Sequence, residues 1–137
     1  MLNFLGIDYG TKRIGLAINM ASLAEPLFVL DNQTNKDQPI ASEKVLMEIV
    51  KICQEKKIDK IVLGLSEALM AEKIKVFAEL LKEKTKLPLV LIDETLSSHE
   101  VGRRMKEAGF TLKKRQGPID HYSAALILED FLETSNF

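Results

Sequence analysis

Apolar positions along the chain follow two rhythms, one of period two and one near 3.6. Leu2–Ile7 is almost wholly apolar and runs into a carboxylate, Asp8. Ile14, Leu16 and Ile18 then alternate with Gly15, Ala17 and Asn19, the pattern of a strand. Between them, Tyr9-Gly10-Thr11-Lys12-Arg13 reads as a turn in which Gly10 can take positive φ while Lys12 and Arg13 stay in water. Phe4–Ile18 is therefore expected to be strand, tight turn, strand. Ala21–Pro26 reads as a loop, and Leu27–Leu30 as a short third strand returning beside the second. The polar run Asp31–Gln38 has nothing to bury and reads as a mobile loop.

The period then lengthens. Val45, Leu46, Ile49, Ile52 and Cys53 share one side of a helix predicted from about Ser42 to Lys56. Ile61-Val62-Leu63 is a continuous apolar run, as expected for a strand covered on both faces. A second helix, about Leu69 to Lys84, carries the stripe Met70, Ile74, Phe77, Ala78 and Leu81. Pro88 blocks its continuation and sets up the strand Leu89–Ile92, which ends in Asp93-Glu94. Strand, helix, strand over some thirty residues is a βαβ unit, so these two strands are expected to be parallel. Ser97 and Glu100 form a capping box at the start of a third helix, with Val101, Met105 and Ala108 inward and Gly109 past its end. Pro118 opens a last helix running to about Glu133. This order predicts an α/β fold: a mixed five-stranded sheet, part antiparallel meander and part parallel βαβ, covered by helices.

Bulk composition narrows the classes. With 137 residues the expectation is one domain over 1–137. The chain is 46% hydrophobic and 28% charged, and 19 Lys+Arg against 20 Asp+Glu leave a net charge of −1. That excludes a protein that coats nucleic acid by bulk charge, but not a local basic patch. The single cysteine, Cys53, cannot form an internal disulfide and falls on an apolar stripe, so it reads as a small buried residue. No run approaches the ~20 apolar residues of a membrane span, and the N-terminus lacks signal-peptide features. The expected setting is cytoplasmic, with no membrane partner; the sequence does not give an oligomeric state.

Carboxylates recur at element ends. Asp8 closes the first strand, Asp93 and Glu94 close the last, and Asp120 lies in the first turn of the last helix. Ligands of open sheets gather at the C-terminal ends of strands, where Asp8 and Asp93/Glu94 should meet. Ala124, Ile127 and Phe131 share the helical face of Asp120, at offsets of four, seven and eleven. That apolar face must pack on the sheet, so Asp120 is expected to point inward. Converging carboxylates repel unless cations intervene. Divalent metal, Mg²⁺ or Mn²⁺, is the natural partner, and two such ions ~3.5–4 Å apart suit phosphodiester cleavage. Simpler roles stay open for each residue: Asp120 complementing the helix dipole, Asp93 or Glu94 acting as turn residues, Asp8 pairing with Lys12 or Arg13. His99 and His121 are not read as ligands. Between Thr95 and Pro118 lie Arg103, Arg104, Lys106, Lys113, Lys114 and Arg115 against Glu100 and Glu107. With Lys12 and Arg13 they suggest a cationic rim around an acidic centre, suited to a nucleic acid backbone.

Gly6-Ile7-Asp8-Tyr9-Gly10-Thr11-Lys12-Arg13-Ile14-Gly15-Leu16-Ala17, then Asp93-Glu94-Thr95-Leu96-Ser97-Ser98, then Ile119-Asp120 with Ser123–Leu128, resemble the YqgF/RuvX family across essentially the whole chain. The resemblance implies an RNase H-like fold. It also implies a nuclease, described for the family as maturing the 5′ end of pre-16S rRNA or resolving Holliday junctions. Asp8, Glu94 and Asp120 would be catalytic and metal-binding, with Asp93 adjacent. Lys12, Arg13, Arg104, Lys113, Lys114 and Arg115 would hold pre-rRNA or branched DNA, and ribosomal precursor particles would be partners. The chain departs from the family pattern at Gly64–Met70, which lacks the usual Pro and Gly, at Thr95, which replaces an Arg, and at the bulky His121-Tyr122. These departures keep a non-catalytic nucleic-acid-binding factor as the alternative. The Asp-Tyr-Gly-Thr segment also resembles the phosphate loop of actin-like ATPases, but those need two such domains.

Overall fold

A computed structural model describes residues 2–21, 23–65, 71–93, 103, 107 and 120–134. Its elements are β1 (Phe4–Tyr9), β2 (Arg13–Met20), β3 (Leu23–Asp31), α1 (Glu43–Glu55), β4 (Lys60–Leu65), α2 (Ala71–Thr85), β5 (Leu89–Asp93) and α3 (Asp120–Thr134). The five strands form one mixed sheet in the order β3-β2-β1-β4-β5. β1–β2 and β2–β3 are antiparallel, whereas β1–β4 and β4–β5 are parallel. The meander and the βαβ unit are both as the periodicity predicts. The capping box at Ser97 and the helix after it lie outside the described residues.

Strand alternation divides the core between two faces. Leu5, Ile7 and Tyr9 of β1, Ile14 and Leu16 of β2, and Ile61 and Leu63 of β4 pack with α1 and α2. The residues between them, including Phe4, Ala17 and Val62, pack with Ala124, Ala125, Ile127, Leu128 and Phe131 of α3. Phe4 and Phe131 meet edge-on at 5.3 Å between ring centroids, a favoured aromatic geometry. Each fully buried side chain of this kind contributes ~1.5–3 kcal/mol of transfer free energy. On the α3 side the central strands carry small residues, Gly6, Gly15, Ala17 and Gly64, so the helix backbone comes close to the sheet.

Two expectations are corrected. The third strand starts at Leu23, not Leu27, so most of the expected Ala21–Pro26 loop is strand. Pro26 pairs with Ala17 and Phe28 with Leu16, leaving Leu27 as an extra residue at a bulge. β3 is the sheet edge, where proline is tolerated because only one side of the strand is hydrogen-bonded to a neighbour. The second correction concerns the Asp31–Gln38 run, which does bury something. Asn32 is only 3% exposed, and Asn32 and Thr34 are hydrogen-bonded to the β1–β2 turn.

Helix limits follow the local chemistry. Ser42 caps α1, its side chain accepting a bond from the Val45 N–H at 3.2 Å. Cys53 lies buried on the α1 stripe, and burial pushes its thiol up to about 11. In α2 the stripe residues Ile74, Phe77, Ala78 and Leu81 are buried as expected; Met70 lies outside the described residues. Among the described residues, no helix is long and apolar enough to cross a membrane.

Candidate active site at the strand rim

Asp8 sits near the C-terminal end of β1. Its partners across the sheet are Gly15 on β2 and Gly64 on β4. Gly64 pairs with Ile92, and Leu65 with Asp93, so the Asp93 backbone stands one register step beyond the Asp8–Gly64–Ile92 row. Because β1, β4 and β5 are parallel, Asp8 and Asp93 reach one rim, the rim that ligands of open sheets occupy.

Asp120 reaches this rim from the far end of the chain. A Cβ built on Gly15 would lie 1.9 Å from the Asp120 carbonyl oxygen and 2.6 Å from the His121 nitrogen. The first turn of α3 therefore rests directly on the Gly15 backbone. Asp8 is Gly15's neighbour across the ladder, and directly opposed strand residues project to the same face. The residues in phase with Asp8 on β1 agree: Phe4 packs with α3, and a Cβ on Gly6 would meet Leu128 Cβ at 2.9 Å. Asp8 and Asp120 thus flank Gly15 on the α3 side of the sheet. On α3 itself, Ala124, Ile127 and Phe131 are buried, so the face the offsets assign to Asp120 does pack on the sheet.

Arg13 is the residue's cationic neighbour. Its Nε donates to Asp120 Oδ2 at 2.8 Å, with the Asp120 side chain 23% exposed and that of Arg13 50% exposed. This is a charge-assisted contact across 107 residues of sequence. One carboxylate oxygen of Asp120 is thus paired with a guanidinium. His121, next along, has its imidazole held below the ordinary value by burial, with the charge of Asp120 pulling the other way. Its ring lies 4.2 Å from that of Tyr122.

The other expected site residues divide clearly. Lys12 is exposed on the β1–β2 turn. Arg103 is in helix and its Nη1 donates to Glu107 at 2.6 Å. Glu94, Arg104, Lys113, Lys114 and Arg115 lie outside the described residues. Among the described residues, no group of three or more His, Cys, Asp and Glu is arranged to hold a metal. Strand alternation alone gives Gly15 no special role, yet it is where α3 touches the sheet. An isolated glycine inside a strand pattern signals close backbone approach, and that signal was there to be read.

The fold agrees with what comparison with known proteins shows. In fold, the chain is similar to T. thermophilus RuvC in its complex with a Holliday junction substrate. That match has a TM-score of 0.67 and covers 98% of this chain and 97% of that one at 14% identity. The fold class is RNase H-like α/β. More specifically, a family model described as RuvX, Holliday junction resolvase, matches residues 2–134, and the chain belongs to that family. Among its relatives are proteins of Protochlamydia amoebophila, 34% identical over 95% of this chain and 92% of the relative, and of Chlamydia caviae, 36% identical over 96% and 83%. Both carry the name "Putative pre-16S rRNA nuclease".

Proposed function

We propose that this chain is a metal-dependent endonuclease that cuts phosphodiester bonds in structured RNA, its substrate the 5′ end of a 16S rRNA precursor. The observation that carries the reading is that Asp8 pairs with Gly15 across the ladder while the backbone of Asp120 rests on that same Gly15. The names of relatives 34–36% identical support the substrate. The family description makes four-way DNA junctions the second substrate to test. One RNase H-like domain over 1–137 would carry the activity, in the cytoplasm, on precursor ribosomal particles.

The donor set suits a hard divalent cation, Mg²⁺ or Mn²⁺: carboxylate oxygens, one of them already held by a guanidinium. Asp8 and Asp120 would hold one ion, and Glu94, with Asp93 beside it, would complete a second site. When bound, such ions supply an acidified water and charge neutralisation at the scissile phosphate. The protein's own part is to fix the carboxylates against a rigid sheet and to steer the polyanion. Lys12, Arg13, Arg104 and the Lys113–Arg115 run are assigned to the backbone of the nucleic acid.

The test is cleavage of a labelled 16S rRNA precursor and of a four-way junction with Mn²⁺, Mg²⁺ or EDTA, by wild type and Asp8→Asn. The reading expects cutting only with metal, and none by a variant that still melts as wild type does. An active Asp8→Asn, or cutting in EDTA, removes the role given to this site. Tight binding without cutting would favour a non-catalytic binding factor.

A further inference from the structure

The turn after Asp8 is held in an unusual way. Three successive carbonyls of that turn are taken up by one short segment. Asn32 Nδ2 donates to the Gly10 oxygen at 2.6 Å. Thr34 donates to the Thr11 oxygen twice, through its N–H at 3.1 Å and its Oγ1 at 2.8 Å. The Asn32 N–H donates to the Lys12 oxygen at 2.8 Å. Asn32 is a buried polar residue, and nothing in the catalytic reading uses it.

This capture dictates what the turn shows on its other side. No peptide bond here is cis. In a planar trans peptide the N–H points opposite to the C=O of the same unit. With the Gly10 and Thr11 carbonyls turned to the 32–34 segment, the N–H groups of Thr11 and Lys12 must point away from it. Among the described residues these two amides have no hydrogen-bond partner. Successive free amides in a turn can form a concavity for anions, and Lys12 on the same turn is exposed. The turn joins the strand that carries Asp8 to the strand that opens on Arg13, so an anion held there would stand at the same rim of the sheet.

We infer that Asn32, helped by Thr34, is a positioning residue for substrate binding: it turns the carbonyls of residues 10–12 inward so that their amides and Lys12 can grip one backbone phosphate. The inference rests on the nucleic-acid reading above and adds to it a residue that carries no charge and touches no substrate. Without the strap the turn is free to rotate its carbonyl oxygens outward, which would repel a phosphate.

The test is equilibrium binding of a labelled 16S rRNA precursor in EDTA over a range of salt, for wild type, Asn32→Ala and Thr34→Val. Thr34→Val keeps the side-chain shape and removes one bond, so it retains the fold if Asn32→Ala does not. Losing one hydrogen bond or its geometry weakens affinity by roughly three- to tenfold. One lost phosphate contact lowers the slope of log affinity against log salt by about 0.7–0.9. The rate at saturating RNA should hold, a split that a merely structural role does not give. Variants with wild-type affinity and slope, or with a lowered melting temperature alone, overturn the inference. A wild type without salt-sensitive RNA binding overturns the nucleic-acid reading beneath it.

Discussion

Asp120 begins its helix on top of Gly15, with its carbonyl oxygen where a side chain at position 15 would have to be, 1.9 Å from an ideal Cβ. Both clashing groups are backbone, so neither can swing aside. Gly15→Ala is therefore expected to lift the start of α3 and carry the Asp120 carboxylate away from Asp8. The destabilisation should reach at least ~2 kcal/mol, read by urea unfolding. Cleavage should fall further than the folded fraction, because the substitution acts between the two residues to which the proposed site is assigned.

Gly64 offers a contrasting case on the neighbouring strand. A Cβ there would lie 2.3 Å from Ile127 Cδ1, the far end of a flexible side chain, with the Ile127 Cγ atoms beyond 3.0 Å. Gly64→Ala should cost ~1–3 kcal/mol, and Ile127→Val, which removes Cδ1, should restore much of it. A double-mutant cycle in urea reads the coupling. Additive costs would show that the two sites do not touch as described.

The bond between Arg13 and Asp120 should matter little to the fold. With the Arg13 side chain half exposed, its removal is expected to cost under ~1 kcal/mol. Its effect should appear in ion binding. Arg13→Gln leaves the Asp120 carboxylate without its resident counter-charge, so Mn²⁺ should bind the RNA-free protein more tightly, by severalfold in an isothermal titration. Equal Mn²⁺ affinity in the two proteins would separate Arg13 from the cation site.

How much of this could be read in advance depended on the range of the interaction. The face of α3 followed from offsets of four, seven and eleven along one helix, and Ala124, Ile127 and Phe131 are buried as those offsets require. The strands followed from period-two alternation, because each face of the sheet buries its own set. What escaped was set by segments meeting from a distance. Arg13 finds its partner 107 residues away. The Asn32 segment looked free of structure because its partners are backbone carbonyls of another turn, which leave no hydrophobic signature. β3 outran its apolar stretch because an edge strand accepts Pro26 and a bulge.

Cys53 gives a pH prediction independent of the active site. Its thiol is raised to about 11 in the fold by burial, against an ordinary value of 9.0. The folded state thus holds the proton more tightly than the unfolded chain. The stability this confers is complete below about pH 9 and is lost as pH rises toward about 11. The loss over that window should approach ~2 kcal/mol. Unfolding free energy measured between pH 8 and pH 11 should fall more steeply for wild type than for Cys53→Ala. Parallel curves would mean that the thiol ionises alike in both states.

The most direct measurement is Mn²⁺ binding to wild type, Asp8→Asn, Asp120→Asn and the double variant, followed by electron paramagnetic resonance without nucleic acid. If these two acids, 112 positions apart in sequence, share an ion across Gly15, each single change should weaken binding about tenfold or more, and the second change should add little to the first. Unaltered Mn²⁺ affinity in either single variant, with the fold intact by melting, would contradict a shared ion.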